Sequence, residues 1–143
     1  MAQKKERNLE QNLKTAGTVL TIVILIAAAV FMFTGSINVK LNDDSLHVSA
    51  LLCGKEDVKY EDIEKISYEK DITLGRRTLG IGSFQLQAGN FKNEAYGKYK
   101  LYSYAKCKDY IVIKSKKGYL VVNDASPIKT KELYEKINDK LNI

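Results

Sequence analysis

The stretch 75-GRRTLGIGSFQLQAGNF-91 decides between two kinds of fold. Its four glycines and its paired Arg76 and Arg77 invite a phosphate-binding loop, which would make the chain a nucleotide-binding α/β protein. A dinucleotide fingerprint needs G-x-G-x-x-G between a strand and a helix, and after Gly80 and Gly82 the third glycine is replaced by Gln85. A P-loop needs Lys followed by Ser or Thr directly after its second glycine. Gly75 and Gly80 have the spacing, but Ile81 and Gly82 follow. Both templates fail, so the glycines read as bends and points of close backbone approach in extended chain.

Upstream, Thr15 to Gly35 reads TAGTVLTIVILIAAAVFMFTG, without a charge and apolar on every side. A bilayer core of about 30 Å needs roughly 20 helical residues, and a core helix of a soluble protein would show a polar stripe. The stretch is expected to be a transmembrane helix over 15–35. It is longer than the apolar region of a cleaved signal peptide, and its exit lacks a pair of small residues, so an uncleaved signal anchor is favoured. Lys4, Lys5, Arg7 and Lys14 precede it, whereas Lys40 is the one basic residue among the first 15 that follow. This bias predicts a cytoplasmic segment over 1–14 and an extracytoplasmic domain over 36–143.

The chain carries a formal net charge of +6. With the four basic and two acidic residues of the first 14 set aside, the outer part keeps about +4, too little to argue for nucleic acid. Two cysteines, Cys53 and Cys107, are compatible with one disulfide or with two idle thiols, and no Cys-x-x-Cys or His-x-x-x-His spacing suggests a metal. The lone histidine, His47, is about 20 Å along an extended strand from Cys53, too far to activate it. No catalytic set emerges, and no cofactor is expected.

Beyond the anchor, short strands dominate. Ser36–Leu41 is followed by a polar turn at Asn42–Ser45, and Leu46, Val48, Ala50 and Leu52 then alternate with His47, Ser49 and Leu51 as a half-buried strand. Ile63–Glu69 and Lys100–Cys107 are extended, and Tyr110–Ile113 and Tyr119–Val122 flank Lys114–Gly118 as a hairpin. In TKELYEKINDKLNI the period changes. Leu133, Ile137 and Leu141 recur every four residues, with Thr130 as the expected cap. The expectation is about seven antiparallel strands curled into a barrel, with the helix over one end.

The segment Tyr96–Tyr110, YGKYKLYSYAKCKDY, interleaves tyrosines with lysines. By alternation, Lys98, Lys100, Tyr102 and Tyr104 form a face that either contacts a ligand or partner or is an ordinary strand surface. Arg76 and Arg77 either offer donors to a carboxylate or phosphate or tie their loop to a nearby acid.

Taken in order, Tyr60-Glu61-Asp62-Ile63-Glu64-Lys65-Ile66, Gly75–Gly82, Ala88-Gly89-Asn90-Phe91 and Gly97-Lys98-Tyr99 resemble the bacterial pleckstrin-homology-like (PH) domains. The resemblance covers about Ser36–Leu141. It implies a short bend at the D-I-x-x-I pattern after the second strand, a glycine-rich segment leading into the A-G-x-F strand, and a closing helix. It also implies a scaffold for binding and assembly with no shared activity. The basic first hairpin of phosphoinositide-binding relatives is replaced here by the acidic Asn42–Ser45. The expected function is therefore a membrane-anchored, non-enzymatic module that docks a protein partner or self-assembles at the cell envelope. The alternative is a binding module for an anionic envelope ligand, using Arg76, Arg77 and the Lys/Tyr face.

Overall fold

The computed structural model describes residues 1–142, which divide into two compact units, Met1–Thr34 and one beginning at Gly35. The first is a single helix, α1, Ala2–Phe33, long and apolar enough to cross a membrane. Its 32 residues span about 48 Å at 1.5 Å each. It thus runs back through the charged segment 1–14, and it stops at Phe33 because Thr34 is extended. Thr15, Thr18 and Thr21 each donate their hydroxyl to the carbonyl four residues back, at 2.8, 2.9 and 2.9 Å. Within an apolar helix this satisfies the hydroxyls without any outside partner.

The second unit contains nine strands where about seven were expected. Three form a small meander: β1 (Ile37–Leu41), β2 (Ser45–Ala50) and β3 (Lys55–Lys59), in that order. A 3-10 turn at Tyr60–Asp62 follows the third strand, not the second, and places the D-I-x-x-I pattern at the start of β4 (Ile63–Lys70). The remaining strands are β5 (Arg76–Gly82), β6 (Leu86–Asn93), β7 (Gly97–Tyr104), β8 (Asp109–Ser115) and β9 (Gly118–Val122). With β4 they make a six-stranded sheet ordered β4-β8-β9-β7-β6-β5. The β8–β9 hairpin forms as expected, but β9 also lies parallel to β7, so the sheet is not wholly antiparallel.

This order forces the sheet to curl. β4 and β5 are consecutive in the chain yet occupy opposite margins, joined by Asp71–Gly75. Six Cα steps from Lys70 to Arg76 reach at most about 22 Å, whereas five strand spacings of a flat sheet need about 24 Å before any offset along the strands. The crossing segment is tied down inside the curl: the Tyr99 hydroxyl donates to the Leu74 carbonyl at 2.6 Å, and Asn93 Nδ2 donates to the Thr73 carbonyl at 2.9 Å.

The curled sheet has a core on each face. Tyr102, Ala88, Ile111 and Val122 lie in one row and pack against Leu46, Val48 and Val58 of the small sheet. The next residues along, Leu101, Val112 and Val121, face the other way with Phe91, Tyr99 and Tyr110, covered by Ile72 and Leu74 of the crossing segment. Of the two phenylalanines in the glycine-rich stretch, Phe91 is core and Phe84 is 67% exposed.

The closing helix, α2, is Pro127–Leu141, beginning four residues earlier than a cap at Thr130 would place it. Ser126 is its cap, accepting from the Lys129 amide at 3.2 Å, and Pro127 takes the first helical position, where its missing N–H is harmless. Thr130, the expected cap, is instead buried one turn in and donates to the Ser126 carbonyl at 2.8 Å. Leu133 and Ile137 enter the first core, with Leu141 against it.

Candidate functional site

The Lys/Tyr face is where the structure departs most from alternation. The small sheet lies over it. Tyr102 is 1% exposed, and its hydroxyl donates to the Cys53 carbonyl at 3.2 Å. The Tyr104 hydroxyl accepts the Ile37 amide at 3.1 Å. Lys100 pairs with Glu56 of β3 at 3.3 Å. Tyr102 is therefore a core residue, not a contact residue, and Tyr104 holds the first strand in place. Burial, followed by the charges of Glu56 and Cys53, pushes the Tyr102 phenol up to about 12.

Only Lys98 and Lys100 keep a role at the surface. With Lys117, Thr78, Asn90 and Tyr119 they line a groove of about 480 Å³ that has no carboxylate among its lining residues. Sequence reasoning missed Lys117, because it enters through the β8–β9 turn and only the parallel β7/β9 pairing brings that turn beside β7.

Arg76 and Arg77 are both exposed on β5, and among the described residues neither joins an ion pair. They do not act together. Arg76 pairs in register with Lys92 and lines a cleft of about 980 Å³ with Glu69, Asn93 and Tyr96. Arg77 pairs with Phe91 and lays its guanidinium over Gly82, where Nη1 would be 1.8 Å from any added Cβ. In the cleft, Glu69 is already engaged: Ser67 Oγ donates to it at 2.9 Å and the Tyr96 hydroxyl at 3.1 Å. Burial and the Glu69 charge push Tyr96 up to about 12, so it stays a neutral donor.

β5 itself is the more distinctive feature. It is a margin of the sheet, hydrogen-bonded to β6 alone among strands, and Arg76 to Gly80 are all exposed. Leu79, 69% exposed, sits in the middle of this edge. The pairing with β6 leaves no room for a side chain at two facing positions of positive φ: a Cβ on Gly80 would come within 2.1 Å of the Ala88 carbonyl oxygen, and one on Gly89 within 2.2 Å of the Leu79 oxygen. These two glycines face each other in register, which is the close approach expected of them.

The cysteines are separate thiols. Cys53 donates to the Ala88 carbonyl at 3.6 Å, whereas Cys107 contacts the Asp109 carbonyl and Thr130 Oγ1, both at 3.6 Å, beneath α2. Each is fixed in a different loop, so the disulfide weighed from the sequence is not formed. Burial pushes the Cys53 thiol up, partly offset by the Ile81 amide and the Arg77 charge. His47 Nδ1 faces Asp57 Oδ1 at 2.6 Å across β2 and β3.

The family model described as bacterial PH domain matches residues 37–141. No curated protein and no solved structure matches the chain.

Proposed function

The chain belongs to the bacterial PH domain family, and from that premise we propose that it is a membrane-anchored, non-enzymatic docking module. α1 holds it in the membrane with its N-terminus cytoplasmic, and the domain docks a protein partner or a second copy at the outer side of the cell membrane. The observation that supports this is the free edge of β5. An exposed strand edge offers unpaired amides and carbonyls to an extended segment, and side chains along it set the choice of partner. Here Leu79 supplies an apolar contact, and Arg76 and Arg77 add unpaired cations.

The test is site-specific photocross-linking from Thr78 in cells expressing the full chain, with Asp43, in the turn between β1 and β2, as a control position. Adducts from Thr78, lost on Leu79→Lys, are expected. Equal adducts at both positions, or none at Thr78, would overturn the edge as the docking site.

A second reading has its own observation, the groove lined by Lys98, Lys100 and Lys117 and by no carboxylate, in which Lys98 and Lys117 are the cations outside any ion pair among the described residues, Lys100 being paired with Glu56. Such a groove suits an anionic envelope ligand, a headgroup or a polymer, with Arg76 and Arg77 near its rim strand. Binding of anionic polymers or lipids that survives both arginine substitutions and replacement of these lysines by glutamine removes this reading.

A further inference from the structure

The end of the domain where the chain enters carries a second surface that neither docking reading uses. Ile37 pairs with Ala50, so the β2–β3 turn, Leu51-Leu52-Cys53-Gly54, projects from that end. Gly35 packs against Leu86, and the Leu86–Tyr104 pair brings the β7–β8 turn there too. Asn123 gathers the rest, donating to the carbonyls of Tyr104 and Cys107 at 3.3 and 3.1 Å, which places the start of α2 alongside.

What this end exposes is unlike an ordinary loop surface. Leu51 is 67% exposed, Leu52 77% and Ile128 74%. The leucine tip is also rigid, since the Cys53 amide donates to the Ala50 carbonyl at 3.1 Å and the Ala50 amide to the Gly54 carbonyl at 3.3 Å. Leu52 stands at φ 63, a left-handed conformation that suits glycine or asparagine and disfavours leucine. Local folding thus argues against a leucine here, and burial in the domain does not account for it. Around the apolar tips lie exposed Lys55, Lys106, Lys108 and Lys129, none in an ion pair among the described residues, against Asp71 of the β4–β5 crossing, and against Asp124 and Glu132, which line one pocket with Lys129 and Lys136. The opposite end bears the acidic turn with Asp43 and Asp44.

We propose that this end seats on the lipid bilayer, with Leu51, Leu52 and Ile128 entering the interface and the lysines meeting anionic headgroups. The occupant follows from covalent reach. Four peptide steps separate Phe33, the last residue of α1, from Ile37, and they span at most about 14 Å. If α1 lies in a membrane, the tether keeps the lead-in end within about 14 Å of the end of the helix, and a headgroup layer within that reach takes apolar tips ringed by cations. The inference rests on the anchor reading of α1.

The chain has no tryptophan, so single-Trp variants report depth directly. Full-length protein in nanodiscs containing brominated anionic lipid is compared at Val23→Trp, Leu52→Trp, Ile128→Trp and Lys117→Trp, the last in the distant β8–β9 turn. Strong quenching at the first three positions and none at Lys117→Trp is expected. With Lys106, Lys108 and Lys129 changed to glutamine, quenching at Leu52→Trp should fall, each lysine lowering the seated-to-lifted ratio roughly fivefold. Quenching at Val23→Trp without quenching at Leu52→Trp overturns the seating and leaves the anchor standing. Failure at Val23→Trp removes the anchor and the seating with it.

Discussion

Tyr102 is the position at which a contact face and a core face give opposite outcomes. Truncation to alanine removes a ring that is 1% exposed between the two sheets. Deleting a buried aromatic costs about 3–5 kcal/mol, a large share of the about 5–15 kcal/mol that stabilises a typical domain. Tyr102→Phe keeps the ring and removes only the hydrogen bond to the Cys53 carbonyl, a net loss of about 0.5–1.5 kcal/mol. Alkali separates the two roles further. The folded-state phenol is raised from 10.0 to about 12, so its contribution is fully present below pH 10 and disappears as pH rises through about 12. Two units correspond to about 3 kcal/mol at most. Denaturant unfolding of the full chain in detergent, followed by near-ultraviolet circular dichroism, should show the alanine variant severely weakened. The phenylalanine variant should lose less stability than wild type between pH 10 and 12. An alanine variant within about 0.5 kcal/mol of wild type, the range of an ordinary surface change, would refute the placement of Tyr102.

Three further outcomes follow from the same packing. Gly80→Ala would drive a Cβ to within 2.1 Å of the Ala88 oxygen at φ +123, so β5 should detach and trypsin should cut after Arg76 and Arg77 much faster; Gly17→Ala, with nothing within 4 Å, should change neither. Asn123→Ala strands the Tyr104 amide, which Asn123 Oδ1 accepts at 2.6 Å, and the Cys107 carbonyl, while the Tyr104 carbonyl keeps the Cys107 amide; a loss of about 1–3 kcal/mol per stranded group should be measurable by thermal unfolding. Without reductant, two thiols should react in denaturant but only Cys53 in the native chain, and slowly, because Cys107 is 2% exposed and the Cys53 thiol is raised; a single reactive thiol in denaturant would mean modification, and none would mean a bridge.

Local signals carried the parts of the fold that local physics decides. The apolar run of α1, the β8–β9 hairpin and the four-residue period of α2 were all legible, because each needs only its own segment. The start of α2 is also written in Ser126-Pro127, a cap followed by proline at the first helical position, but Thr130 offers a competing cap one turn in. The face of β7 was not legible. Alternation assumes one wet side, and β7 is central, with Leu101 and Tyr102 buried on opposite faces. What covers Tyr102 comes from β2 and β3, some 50 residues earlier in the chain. For the same reason the split between Arg76 and Arg77 could not be seen. Adjacent positions on a strand point apart, and that segment was read as a loop.

The strand order also bears on how the domain is made. β8 and β9, the inner strands that link β4 to β7, are the last strands to leave the ribosome, after every strand they must join. Until then β1–β3 and β5–β7 can form only separate meanders, and β4 has no neighbour at all, since it pairs with β8 alone. The nascent domain is therefore held open through most of its synthesis while α1 is already complete. Under the proposed outward topology, in which the domain crosses the membrane in extended form, such an order is an advantage. Its sheet becomes closable only when the final third has arrived, and an arrest shortly after Tyr104 would leave an unclosed product for proteases to clear.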